Sequence, residues 1–130
     1  MPNRNYTPPP MTGPKRTVLV VDDEPSLRLL CRVNLELEGH RVLEAAGLAE
    51  ARELLASEQI DVVLLDVHVG QDNGFDLLDD IEVLELPVRV VMLSGTSEIS
   101  AAARARVAGV LGKPFGLEEL TAAVSGEAVR

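Results

Sequence analysis

Aromatic residues are nearly missing from this sequence: they make up 2% of its 130 residues, with two Phe, one Tyr and no Trp. Proteins that bind single-stranded nucleic acid stack bases on such rings, so the shortage argues against that function. Basic residues are also scarce. Twelve Lys and Arg stand against 21 Asp and Glu, for a net charge of −9. They are scattered along the chain, without the basic stripe whose phosphate contacts dominate nucleic-acid affinity. No direct nucleic-acid partner is expected. The single cysteine, Cys31, excludes an internal disulfide and a Cys-based zinc site. Set among leucines in a helical pattern, it is expected to be a small buried hydrophobe. No apolar run approaches the roughly 20 residues that span a bilayer. The N-terminus also lacks the charged-then-apolar order of a secretion signal. The expected location is therefore the cytoplasm, away from the membrane.

Apolar residues nevertheless make up 46% of the chain, so aliphatic side chains must fill the core of what is expected to be one domain. Residues 1–16 hold five of the eight prolines, three of them consecutive, and are expected to form a disordered, extended tail. The domain is expected over 17–130. It opens with Thr17-Val18-Leu19-Val20-Val21, an apolar β-branched run of the kind found in parallel sheets covered on both faces. Pro25 begins a helical pattern through Leu27, Leu30, Cys31 and Leu37, and Gly39 ends it. The alternation then repeats. Strands are expected at Val42–Ala46, Ile60–Leu65, Val88–Leu93 and Val110–Leu111. Helices are expected through Leu48–Leu55, Leu77–Ile81, Ile99–Val107 and Leu117–Val124. Five strand–helix pairs joined by right-handed crossovers give an open, doubly wound α/β sheet with helices on both faces. In such sheets the functional crevice lies beyond the carboxyl ends of the strands.

The residues at those strand ends are Asp22 and Asp23, Asp66, Ser94 and Lys113. Each alone has an ordinary explanation, as a helix cap, a turn cap or a surface lysine. Together they place three carboxylates, a hydroxyl and an ammonium at one edge. Clustered carboxylates raise one another's proton affinity, and a divalent cation relieves the repulsion. Oxygen ligands in an incomplete shell suit Mg2+, which is completed by water and phosphate oxygens. A lysine and a hydroxyl beside it suit a phosphoryl group.

These pieces resemble the receiver domain of bacterial two-component response regulators, a flavodoxin-like fold. The resemblance spans Thr17 to roughly Ala128. It is carried by Val18-Leu-Val-Val-Asp22-Asp23-Glu24-Pro25, by Asp66 with Gly74 eight residues on, by Leu93-Ser94-Gly95, and by Lys113-Pro114-Phe115, each after an expected strand. The resemblance implies that Asp66 is the phosphoacceptor. Asp23 and Asp66 would ligate Mg2+ directly, Asp22 through water, and His68 through its backbone carbonyl. Lys113 would pair with Asp66 and then with the phosphoryl group, and Ser94 would hydrogen-bond a phosphoryl oxygen. The Lys113–Pro114 peptide is expected to be cis. The implied partners are a sensor histidine kinase or a histidine phosphotransfer protein, with an unidentified protein downstream. The chain is expected to be a stand-alone signalling protein, not a conventional enzyme, that assists its own Mg2+-dependent phosphotransfer and dephosphorylation.

Four positions depart from the family pattern. Val110 occupies a place that is commonly aromatic, and valine, stiff at χ1, cannot swing as a ring does. Lys113 lies 19 positions after Ser94, a few fewer than usual, so the intervening helix should be short or irregular. Gly70 stands where proline is frequent, which points to a more flexible loop. His68 is expected to be a partly exposed loop residue. The competing reading is a receiver-like interaction module that does not use phosphate. A phosphatase with an aspartate nucleophile would need a second Asp at the position His68 occupies.

Overall fold

The computed structural model describes residues 15–95 and 99–126. Five parallel strands form the sheet: β1 (Thr17–Val21), β2 (Arg41–Ala45), β3 (Val62–Asp66), β6 (Arg89–Ser94) and β7 (Gly109–Gly112). Between β3 and β6 lie a two-residue hairpin, β4 (His68–Val69) and β5 (Asp72–Asn73), and helix α3 (Gly74–Val83). The other helices are α1 (Pro25–Leu37), α2 (Leu48–Ser57), α4 (Ala101–Arg104) and α5 (Leu117–Ser125). The spatial order is β2-β1-β3-β6-β7. The winding direction reverses between β1 and β3, which creates the crevice expected at their carboxyl ends.

Strand alternation divides the core into two layers. Val18, Val20, Val62, Leu64, Val91, Leu93 and Leu111 meet Cys31 and Leu35 of α1 and Leu120 and Val124 of α5. Leu19, Val21, Val63, Leu65, Val90 and Met92 meet Leu48 and Ala51 of α2 and Leu77, Leu78 and Ile81 of α3. The central strand β3 is buried along its whole length, which accounts for a sequence apolar on both faces. At about 1.5–3 kcal/mol for each fully buried aliphatic side chain, these two layers hold the strand tips in place. Cys31 is fully buried and its thiol is pushed up to about 11, mainly by burial.

The proline-rich stretch 1–14 lies outside the described residues. Lys15 and Arg16, the last two residues of the expected tail, are tied down. Lys15 Nζ donates to Glu38 O at 2.8 Å, the Arg16 amide donates to His40 Nδ1 at 3.0 Å, and Arg16 Nη2 donates to Ser125 O at 3.3 Å.

Two local expectations take a definite form. Gly70 sits in a hairpin turn. It has φ +63° between two paired dipeptides, His68↔Asn73 and Val69↔Asp72. That is the first central position of a two-residue hairpin, where type II′ turns need positive φ. Proline, locked near −65°, cannot adopt it. The helix expected over Ile99–Val107 is also only four residues long, Ala101–Arg104, capped by Ser100 Oγ accepting from Ala103 N at 3.1 Å. Beyond it the chain is drawn to α3, where Arg106 Nη2 pairs with Asp79 and Glu82 at 2.5 and 2.6 Å. The short Ser94-to-Lys113 spacing leaves no length for further turns before β7.

Candidate functional site

Asp22 directly follows β1, is fully buried, and has all four of its polar groups engaged. Its amide donates to Ala45 O of β2 at 3.1 Å, and its carbonyl accepts from Arg28 Nη1 of α1 at 2.7 Å. Oδ1 accepts from the Glu24 amide at 2.9 Å, and Oδ2 accepts from Lys113 Nζ at 2.9 Å. A buried carboxylate with this complete set of donors is the arrangement in which burial costs least. Asp23, the next residue, is exposed.

Asp66 ends β3 and is 9% exposed. Its Oδ2 lies 3.2 Å from Lys113 Nζ, so the ammonium bridges Asp22 and Asp66. Carboxylate oxygens of Asp22, Asp23 and Asp66 all lie within 4.8 Å of one another. Burial, and then the Asp22 charge, push the Asp66 carboxyl above its ordinary value; Lys113 and a hydrogen bond from the His68 backbone pull it back. For Lys113, burial works against the charged form. The hydrogen bond and charge of Asp22, reinforced by Asp66, outweigh it and raise the ammonium above its usual value.

Register explains why these groups meet. Asp66 pairs with Leu93 across β3 and β6, and Ser94 pairs with Gly112 across β6 and β7. The Lys113 amide then donates to Ser94 O at 2.6 Å. Ser94 is 3% exposed at the tip of β6, and the Lys113–Pro114 peptide is cis. His68 is exposed, two residues beyond the strand end, in the hairpin that flanks Asp66. Val110 is half-buried against the layer under α2 and α3. The sequence-expected residues Asp22, Asp23, Asp66, Ser94 and Lys113 thus share one sheet edge.

Gly74 adds a steric constraint. A Cβ there would lie 2.0 Å from the Asp66 carbonyl oxygen, and its amide donates to Val67 O at 2.7 Å. Helix α3 therefore starts in direct contact with the backbone after Asp66. Asn73 caps it, Oδ1 accepting from the Phe75 amide at 2.9 Å. The sequence reading missed Arg28 and its partner Glu44, whose Oε1 lies 3.1 Å from Arg28 Nε. Their signal was a charged residue on a strand otherwise read as apolar, facing an arginine on the preceding helix.

The site fits a divalent cation by the chemistry of its donors: three carboxylates converge, and among the described residues Lys113 is the one side-chain cation paired with them. Among the described residues no other group of three metal-ligating side chains occurs, and no helix is long and apolar enough to cross a membrane.

Comparison with known proteins agrees with this geometry. Residues 18–125 match the family model described as response regulator receiver domain. The chain is 28% identical over 110 residues to sporulation initiation phosphotransferase F of Bacillus subtilis, covering 82% of this chain and 89% of that protein. It is 35% identical over 111 residues to the alginate biosynthesis transcriptional regulatory protein AlgB of Pseudomonas putida, covering 83% of this chain but 25% of that protein. Among solved structures it resembles a response regulator from Burkholderia pseudomallei with a phosphorylated aspartic acid, calcium ion and citrate. The TM-score is 0.74 and the identity 27%, over 84% of this chain and 66% of that one. A family match over this span, on a five-stranded parallel sheet with its acidic residues at the strand tips, identifies the chain as a member of the response regulator receiver domain family of two-component systems.

Proposed function

We propose that this receiver accepts a phosphoryl group on Asp66 in a Mg2+-dependent reaction, with a sensor histidine kinase or histidine phosphotransfer protein as donor, and signals through protein contacts. The observation that carries this reading is the single ammonium of Lys113 shared between Asp22 and Asp66 at 2.9 and 3.2 Å, beside an exposed Asp23. Three carboxylates against one ammonium leave an excess of negative charge that a dication would offset. Asp22, Asp23 and Asp66, with the His68 carbonyl, are the groups that would hold Mg2+. When bound, Mg2+ neutralises phosphoryl oxygens that would otherwise repel an incoming carboxylate.

The residues of the chain supply position and charge. Asp66 must be ionised to attack, and Lys113 opposes the protonation that burial and Asp22 favour. An Asp66 carboxylate oxygen forms a bond to phosphorus as the donor N–P bond breaks, and that electron pair returns to the donor imidazole. Lys113, rigidly placed through its amide on Ser94 O, then pairs with a phosphoryl oxygen. The Ser94 hydroxyl, at the tip of the neighbouring strand, donates to another. Because this chemistry asks mainly for alignment and charge neutralisation, no further catalytic group is needed. Val110 has no ring to swing, so the output of the phosphorylated form runs through a route other than an aromatic rotation. The phosphorylated aspartate and bound cation of the Burkholderia relative support the same assignment here.

The test is labelling by a small phosphodonor. The wild-type chain should label when Mg2+ is present and lose labelling when it is chelated, and Asp66→Asn should not label. Undiminished labelling of that variant would contradict the assignment. Failure of the wild-type chain to label or to bind Mg2+ would favour a phosphate-independent interaction module.

A further inference from the structure

Asp22 and Asp23 are joined by one peptide unit, and that unit is held from outside the pocket. Its carbonyl, Asp22 O, accepts from Arg28 Nη1 at 2.7 Å. The Arg28 side chain is 16% exposed and its Nε lies 3.1 Å from Glu44 Oε1 on β2. Glu44 Oε2 is in turn held at 2.8 Å by Arg32 Nη1, and Arg32 Nη2 donates to Val42 O at 2.9 Å. An arginine used in this way acts as a rigid fork, one nitrogen fixed by a carboxylate and another directed at a carbonyl. The buried half of the pair, Asp22, is fixed at every polar atom. Asp23 is exposed, so its direction depends on the orientation of the peptide that leads into it.

We propose that Arg28, braced by Glu44, is a positioning residue for the metal half of the site. By fixing the Asp22–Asp23 peptide plane it aims the Asp23 carboxylate toward Asp22 and Asp66. This inference rests on the reading of the acidic cluster as a Mg2+ site. Arg28 reaches the site through Asp22 O, not through the carboxylates that would hold the cation. Its effect is expected on cation affinity, where loss of an outer hydrogen-bonding partner costs about tenfold or more.

The experiment measures the Mg2+ dissociation constant by calorimetry with no phosphodonor present, alongside the Mg2+ concentration for half-maximal labelling. Arg28→Met, close in shape but without donors, should raise both about tenfold, shifting half-saturation more than the maximal rate. Arg28→Lys, which keeps one charged donor, should recover part of the loss. Glu44→Gln should raise the constant less, and should add nothing in the Arg28→Met background, because the two residues act as one unit. If Arg28→Met fails to fold, Glu44→Gln alone carries the test. Wild-type Mg2+ affinity in Arg28→Met, or in Glu44→Gln where that variant must stand alone, would overturn the inference. So would fully additive losses in the double variant. Absence of Mg2+ binding by the wild-type chain would instead overturn the underlying reading of the site.

Discussion

Gly74→Ala is the sharpest steric test of the site. The new methyl carbon would stand 2.0 Å from Asp66 O, 3.1 Å from Asp66 C and 3.2 Å from Val67 O. An unstrained carbon–oxygen approach is about 3.3 Å, so helix and strand must part by roughly 1 Å. The neighbouring atoms are backbone, and they cannot give way alone. Asp66 is registered against Leu93, and the Val67 amide donates to Leu93 O at 3.2 Å. Overpacking of this kind costs about 1–3 kcal/mol, and loss of the 2.7 Å bond from the Gly74 amide to Val67 O adds about 1 kcal/mol. The better helix propensity of alanine returns under about 1 kcal/mol. The net loss of about 1–3 kcal/mol lowers the melting temperature by about 4–12 °C in a domain of this size. Because the strain falls on the backbone of Asp66, the proposed phosphoacceptor, labelling slows as well, by up to about 100-fold for a displacement near 1 Å. Circular-dichroism melting and phosphodonor labelling of the same sample check both. A melting temperature within about 2 °C of wild type, together with unchanged labelling, would refute the argument.

Asp22→Asn should lower the Asp66 pKa, because the Asp22 charge is removed and Lys113 turns fully to Asp66. Burial, the largest cause that raises Asp66, remains in the variant. Carboxyl-carbon NMR titration reads this directly, and an unchanged or higher value would count against the charge coupling. His40 is buried with Nδ1 accepting from the Arg16 amide. Burial pushes its pKa below the ordinary value against the pull of Glu38 and with help from Lys15 and Arg16. Its contribution to stability is therefore complete above the unfolded value of about 6.5 and is lost as pH falls from there through the lower folded value. His40→Asn, which keeps an acceptor near the Nδ1 position but does not titrate, should lose less stability than wild type between about pH 7.5 and about pH 5. Equal losses by urea denaturation would count against His40.

The elements carrying strong periodicity were legible in the sequence, and so was the candidate site, because its residues close strands. Asp22, Asp66 and Ser94 follow or end buried runs rich in Val and Leu, and Lys113 follows the partly buried edge strand β7. Once the strands are parallel, their tips share an edge. What stayed hidden depends on contacts across the chain. Gly70 carries no sign of which φ it adopts until His68 and Val69 find Asn73 and Asp72. The Ala-rich stretch after Ile99 has the composition of a longer helix, but the fixed span to β7 and the hold of α3 on Arg106 stop it after one turn. Arg28 and Glu44 belong to no motif, since 16 residues separate them and their meeting requires α1 to lie on β2.

Lys113 closes a contact with Asp22 across 91 residues of sequence. No contiguous fragment shorter than that stretch contains both groups, and β3 and β6, which lie between β1 and β7 in the sheet, must be docked before the ammonium arrives. On the proposed function, competence to receive the message is thereby tied to assembly of the sheet from β1 to β7. A molecule in which those strands are not yet docked would stay silent, and could not report a stimulus that never came.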